Sequence, residues 1–155
     1  MLFLTLLLAL ASPSLQRPAD IVKWSATVPE GTVSLGGIVK VAIVAKIEPG
    51  WKLYAITQPE GGPQKLAIEL TAGAPFAIPR KQVAGPAAKT LNDPNFDMKT
   101  QYYEGEATFT VPVTLAKAVP AGRQAVPFEI TFQACGDTLC LRPFTQKVSA
   151  EVVVR

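Results

Sequence analysis

The two cysteines of this 155-residue chain are the residues with the most evident chemistry. Cys135 and Cys140 are separated by four residues, and the chain has no other cysteine. A disulfide between them would close a ring of about six residues, which the chain-entropy model credits with only about 2 kcal/mol, against nearly 5 kcal/mol for a hundred-residue loop. The pair is therefore a weak covalent staple, and its spacing favours a disulfide that opens and closes.

The residue types that are missing narrow the chemistry of this pair. The chain has no histidine, which excludes Cys–His nucleophilic catalysis and every Cys/His zinc site. Thiol–disulfide exchange needs only a thiolate, an accessible sulfur and a resolving partner. Two alternatives stay open: an exported binding or structural domain whose hairpin disulfide is structural, and a Cu(I) site in which Met98 joins the two cysteines as a soft ligand. We expect no cofactor.

Alternation of apolar and polar residues places the cysteines at the end of a hairpin. The residues on one side of this strand are Phe128, Ile130, Phe132 and Ala134, and those on the other are Glu129, Thr131 and Gln133. If the apolar side faces the core, Cys135 faces the other way, into solvent or beneath whatever covers that face. Gly136-Asp137-Thr138 has the composition of a turn. Cys140 is then expected to face Cys135 across the hairpin end.

The rest of the chain predicts a β-sandwich. Fourteen prolines and eleven glycines punctuate short runs that are rich in β-branched residues. Period-two alternation recurs at 39–47, 107–114 and 148–154, and further strands are expected at 21–28, 51–56 and 65–70. Seven or eight short antiparallel strands favour an all-β, immunoglobulin-like sandwich, with residues 17–155 forming a single domain.

One segment lacks a clear periodicity. Residues 79–101 contain three prolines and the stretch Asn92-Asp93-Pro94-Asn95-Phe96-Asp97. Structureless loops of this length are uncommon in compact domains and tend to be lids or binding loops. The sequence supports equally a long cap loop and an edge strand with a long connection.

The N-terminus indicates export. Residues 1–16 combine a short apolar run, an Ala-Leu-Ala cleavage pattern and a polar tail, which is typical of a secretory signal peptide; a buried strand is the alternative. No later apolar run approaches membrane length, so we expect no span in the mature chain. The basic residues are scattered and the net charge is only +3, which argues against a nucleic-acid partner. We expect a periplasmic or otherwise exported protein.

Three stretches resemble a known family. The string Phe-Gln-Ala-Cys-Gly-Asp-Thr-Leu-Cys-Leu-Arg-Pro at 132–143 is similar to the active-site segment of the N-terminal periplasmic domain of the disulfide interchange protein DsbD. Pro-Gly-Trp-Lys-Leu-Tyr at 49–54 looks like an early strand of that family. The Tyr-Tyr-Glu-Gly at 102–105, followed by Val-Pro-Val at 111–113, looks like its tyrosine-containing segment and the strand after it.

The resemblance implies a fold and a function. The fold would be an immunoglobulin-like sandwich, and the cysteine pair would pass electrons from a thioredoxin-like domain to periplasmic disulfide proteins. Cys140 would form the mixed disulfides and Cys135 would resolve them. Phe96 would shield the disulfide from a cap loop, and Tyr54 would be an aromatic neighbour of the site. Since the chain carries neither a membrane region nor a thioredoxin-like domain, it would be a stand-alone form or a piece of a longer protein. Its donor would be a separate thioredoxin-like domain or membrane electron carrier.

Overall fold

A computed structural model describes residues 16–155, apart from the side chain of Lys81. The predicted signal peptide therefore lies almost wholly outside the described residues. Within them, a one-turn helix and twelve strands follow in order: α1 (Pro18–Ile21), β1 (Val22–Thr27), β2 (Thr32–Val33), β3 (Ile38–Ile47), β4 (Lys52–Tyr54), β5 (Ala67–Leu70), β6 (Phe76–Ala77), β7 (Lys89–Asp93), β8 (Met98–Tyr103), β9 (Glu106–Leu115), β10 (Gly122–Phe132), β11 (Ala134–Cys135) and β12 (Phe144–Val154). A 3-10 turn at Pro79–Lys81 separates β6 from β7.

The strands form three four-stranded sheets. The first sheet has the order β1-β3-β9-β6, and the second has the order β2-β12-β10-β5. A third sheet, which we call the site sheet, has the order β11-β4-β8-β7. All pairings are antiparallel except that of β2 with β12. The predicted all-β, immunoglobulin-like sandwich is confirmed, although the described residues hold more strands than the seven or eight expected.

The long strands bury one face because their apolar residues recur every second position. Strand β9 alternates exposed and buried positions from Glu106 to Phe109 and keeps every second residue buried to its end, as the sequence pattern predicted. Trp24 on β1 joins the two main sheets, since its ring lies 6.2 Å from that of Phe109 and 5.6 Å from that of Phe132. The site sheet packs on this core through Leu53, Tyr103 and Ala134.

The chain changes sheets at Gln133, just before the cysteines. Strand β10 pairs with β12 and β5 up to Phe132, whereas Ala134 and Cys135 pair with β4. The Gln133 amide holds this crossing, because its Oε1 accepts from the backbone N–H of Gln64 at 2.9 Å and its Nε2 donates to the carbonyl of Leu141 at 3.1 Å. The predicted continuous strand is thus split in two, but the alternation of faces survives, with Ala134 fully buried on the core side.

The segment 79–101 is largely ordered as a β-hairpin. Strands β7 and β8 pair in register from Lys89↔Tyr102 to Asp93↔Met98. Residues 94–97 form the turn between them, in which Asp97 has a φ of 51°, a left-handed conformation that Asp tolerates better than most residues. The edge-strand interpretation is correct for β7, which is the last strand of the site sheet, whereas β8 lies between β4 and β7. Phe96 lies in the turn that joins the two strands. We call residues 89–103 the cap hairpin.

Candidate active site

Cys135 and Cys140 are joined in a disulfide across a tight hairpin. Their Cα atoms are 4.1 Å apart, and the two residues form an antiparallel bridge. Two backbone hydrogen bonds close the hairpin, one from Gly136 N–H to the carbonyl of Leu139 at 2.8 Å and one from Leu141 N–H to the carbonyl of Ala134 at 3.0 Å. The predicted pairing across a hairpin end is confirmed.

The two cysteines differ in exposure. Cys135 is 1% exposed, whereas Cys140 is half-buried and follows the exposed residues Asp137, Thr138 and Leu139. A thiol that approaches from solvent therefore reaches Cys140 more readily than Cys135. This asymmetry matters because exchange depends on which sulfur of a disulfide can be attacked.

Strand pairing sets which side chains surround Cys135. Cys135 is directly opposite Lys52, and Ala134 is opposite Leu53. Since successive residues point to opposite faces, Lys52 and Tyr54 share the face of Cys135, while Leu53 and Ala134 are buried on the core side. The disulfide thus lies on the outer face of the site sheet.

The end of the cap hairpin lies over this outer face. A cavity of about 70 Å³ separates Cys135 from the hairpin's end. Cys135 is therefore not on the solvent side but beneath a cover, which was the second option that the alternation left open. The residues that line this cavity are Lys52, Tyr54, Leu91, Asp93, Pro94, Asn95, Cys135, Gly136 and Asp137.

A buried carboxylate ties the end of the cap hairpin to strand β4. The Tyr54 hydroxyl donates to Asp93 Oδ2 at 2.6 Å, and the Thr100 hydroxyl donates to the same oxygen at 3.1 Å. The backbone N–H of Asn95 donates to Asp93 Oδ1 at 2.9 Å. Asp93 is only 3% exposed, and Thr100 is fully buried. The half-buried Phe96 adds an edge-to-face contact, with its ring centroid 5.6 Å from that of Tyr54.

The network fixes the ionisation of both partners. Burial, followed by the hydrogen bond to the Asp93 carboxylate, raises the pKa of Tyr54 far above its ordinary value. Burial by itself would also raise the pKa of Asp93, but the hydrogen bonds from Tyr54, from Asn95 N–H and from Thr100 outweigh it and leave this pKa below the ordinary value. At neutral pH the site therefore holds a phenol that donates to a carboxylate.

Lys52 adds a second polar contact beside the disulfide. Its Nζ lies 2.9 Å from Asp137 Oδ1 in the cysteine hairpin. This hydrogen bond is the main reason that the pKa of Lys52 is raised, although burial opposes it. Lys52 therefore carries its positive charge at the edge of the cavity next to Cys135.

The structure brings together most of the residues that the sequence singled out. Tyr54 lines the cavity with Cys135, and Phe96 packs on Tyr54. Met98 instead lines a separate depression with Asn92 and Lys99, in which neither cysteine takes part. Among residues 16–155 no group of three or more His, Cys, Asp or Glu residues is placed to hold a metal ion.

Sequence reasoning missed Lys52, Asp93 and Thr100. The register with Cys135 was needed to find Lys52, and no local motif marks it. A signal for Asp93 did exist, because an Asp followed by Pro and Asn is typical of a turn whose side chain accepts a backbone N–H.

A family model described as the N-terminal region of the thiol:disulfide interchange protein DsbD matches residues 23–151. The chain belongs to this family. No curated protein sequence matches the chain. Membership of the DsbD N-terminal family supports a role in thiol–disulfide interchange, and the chain holds a Cys135–Cys140 disulfide.

Two solved structures share the fold. The reduced N-terminal domain of DsbD from Neisseria meningitidis is 18% identical, with a TM-score of 0.59 over 87% of this chain and 88% of that chain. The N-terminal periplasmic domain of ScsB from Proteus mirabilis is 22% identical, with a TM-score of 0.57 over 90% of this chain. The present chain spans 49% of the ScsB chain. Within residues 16–155 no helix is long and apolar enough to cross a bilayer.

Replacing Tyr54 with phenylalanine should loosen the cap hairpin. The change removes one of three hydrogen bonds to a buried carboxylate, and bonds to charged groups contribute about 1.5–3 kcal/mol. We expect the free energy of unfolding in urea to fall by about that amount. Tyr102→Phe is the matched control, because Tyr102 is opposite Tyr54 on the same face but is not a donor to Asp93, whose side-chain donors are Tyr54 and Thr100. Equal stability of the Tyr54→Phe variant and wild type would show that the network does not hold the hairpin.

The Asp93 carboxylate should make the free energy of unfolding depend on pH. Because its pKa is lower in the folded state than in the unfolded chain, its contribution is complete above the unfolded value of about 3.9 and is lost as the pH falls through the folded value. The difference in unfolding free energy between wild type and Asp93→Asn should therefore shrink below about pH 4. Urea unfolding at a series of pH values measures this difference. A difference that stays constant with pH would contradict the assigned charge state.

Proposed function

We propose that this chain is an exported thiol–disulfide exchange module, of the protein-disulfide reductase type, that accepts electrons at the Cys135–Cys140 disulfide and passes them to periplasmic client disulfides. The observation that carries the proposal is the asymmetry of the pair. Cys140 is half-buried and open to attack, while Cys135 is 1% exposed beneath the cap hairpin. A small ring with one accessible sulfur suits a bond that is repeatedly opened and closed.

Electron uptake would proceed in two exchange steps. A donor thiolate attacks Cys140 Sγ, so that a donor–Cys140 disulfide forms and Cys135 Sγ leaves as a thiolate. A second donor thiolate then attacks the donor sulfur of this mixed disulfide and releases Cys140 as a thiolate. The donor leaves oxidised, and the module holds the two electrons as a pair of thiols once both sulfurs are protonated.

Delivery to a client reverses these roles. The Cys140 thiolate attacks one sulfur of the client disulfide, which forms a client–Cys140 disulfide and releases one client thiolate. Cys135 then attacks Cys140, re-forms the original disulfide and releases the second client thiolate. Cys140 is thus the attacking residue and Cys135 the resolving one, and no cofactor is needed.

The cap hairpin would restrict exchange to partners that displace it. Phe96 is held against Tyr54, and Asp93 fixes the start of the turn from which Phe96 projects. In this arrangement Phe96 and Tyr54 shield the disulfide from small thiols, and a docking partner gains access by moving the turn. The hydrogen bonds to Asp93 contribute to the free energy needed to move the turn.

The partners follow from the proposed role. The donor would be a thioredoxin-like domain or a membrane electron carrier, and the acceptors would be periplasmic disulfide-containing proteins. Residues 1–16 would direct export as a signal peptide and short tail, and residues 17–155 would form the exported domain. The periplasmic location of the related ScsB domain supports this assignment.

Trapping a mixed disulfide tests the function. The probe is a thioredoxin-like protein whose single remaining active-site cysteine has been activated with an aromatic thiol leaving group. The Cys135→Ala variant, which keeps Cys140, should form a stable adduct that non-reducing gels and mass spectrometry detect. Cys140→Ala is the matched control and should react far more slowly, because Cys135 is buried. Failure of both variants to form an adduct would favour a structural hairpin disulfide instead.

Removing the Phe96 side chain should expose the disulfide. We expect the Phe96→Ala variant to be reduced by dithiothreitol several-fold faster than wild type, since one shielding ring is lost while the sulfurs are unchanged. Stopped-flow or quenched alkylation measures the rate. Leu35→Ala is the control, because Leu35 is an exposed apolar residue outside the site. An unchanged rate in Phe96→Ala would show that this ring does not shield the bond.

A further inference from the structure

Lys52 is placed to act on the sulfur of Cys135. The two residues are direct partners in the pairing of β4 with β11, and side chains of such partners start from Cβ atoms about 4.5–5.5 Å apart. Both residues line the 70 Å³ cavity under the cap hairpin. The Lys52 side chain is only 21% exposed, so its ammonium group is partly shielded from solvent.

The other charges around this cavity are negative. Of the described residues that line it, Lys52 is the one cation, while Asp93 and Asp137 are carboxylates. Glu104, just after β8, also acts on Lys52 through its negative charge, and Tyr54 stays a neutral phenol. A thiolate that formed on Cys135 would therefore face the buried Asp93 carboxylate, an unfavourable pairing of like charges unless a cation offsets it.

We propose that Lys52 is a positioning residue of the redox site, whose ammonium group stabilises the negative charge that Cys135 carries when it leaves the disulfide. This inference rests on the proposed function and adds a specific group to its first step. As the donor thiolate bonds to Cys140 Sγ, the electron pair of the broken S–S bond moves to Cys135 Sγ. A leaving thiol of lower pKa departs faster, so a nearby cation speeds electron uptake.

Asp137 weakens the effect of Lys52 on the sulfur of Cys135. It holds the Lys52 ammonium at 2.9 Å, but its own side chain is 85% exposed, and ion pairs with exposed partners are weak. Lys52 can therefore move from Asp137 towards Cys135 when the sulfur becomes charged. Removal of Asp137 should leave the ammonium freer to act on the sulfur, the opposite of the effect of removing Lys52.

The test is the thiol pKa of Cys135, measured from the ultraviolet absorbance of its thiolate in a Cys140→Ser background. Lys52→Met should raise this pKa by about one pH unit, as expected for loss of a neighbouring charge, and Asp137→Asn should lower it. Lys52→Arg keeps the charge and should stay near wild type. Lys46→Met is the matched control, because Lys46 is an exposed residue on β3, and its removal alters the net charge equally.

The rate at which the intact disulfide is reduced provides a second measurement. A leaving-group pKa raised by one unit should slow reduction by dithiothreitol about threefold, because the logarithm of the exchange rate changes by roughly half of the change in thiol pKa. A Lys52→Met variant that matches Lys46→Met in both pKa and rate would overturn the inference. Failure of this inference and failure of the proposed function are distinguishable: a shifted pKa with no adduct to a thioredoxin-like protein would retain the effect of Lys52 on Cys135 and reject the exchange module.

Discussion

A carboxylate that is removed from water must be hydrogen-bonded, because an unpaired buried charge costs more free energy than a small domain can spare. Asp93 meets this requirement with donors from three places: Tyr54 on the site sheet, Thr100 on the opposite strand of the cap hairpin, and Asn95 N–H in the turn. Among the described residues, Tyr54 is the one donor from outside the hairpin. The position of the turn over the disulfide therefore depends on the short hydrogen bond between Tyr54 and Asp93, in addition to the pairing of β8 with β4.

This constraint gives the disulfide its two unequal sulfurs. The Tyr54–Asp93 contact holds the turn above Cys135, which becomes fully enclosed, while Cys140 remains at the margin of the cover. The crossing of the chain at Gln133 also contributes to the unequal exposure of the two sulfurs, because it moves the cysteines from the second sheet to the site sheet. Without that crossing, Cys135 would lie beside β12 or β5 and would have no cap hairpin above it.

Most of the fold could be predicted because its strands bury apolar side chains at every second residue. Strands β3, β9, β10 and β12 follow this pattern, and their prediction was correct. The cap hairpin escaped detection because the buried positions on its covered face include Asp93 and Thr100. These residues are satisfied by hydrogen bonds instead of apolar contacts, so hydrophobic periodicity does not mark them as buried. The cysteines were found from their spacing, whereas Lys52 required the register of β4 with β11.

The central claim is that the Cys135–Cys140 bond is reversible under the conditions in which the protein acts. Its reduction potential, measured by equilibration with dithiothreitol or glutathione buffers and quenched alkylation, tests that claim most directly. The small ring and the accessible Cys140 predict a potential clearly above about −300 mV, in the range of exchange proteins. A value below about −300 mV would identify a structural bridge and would contradict the account.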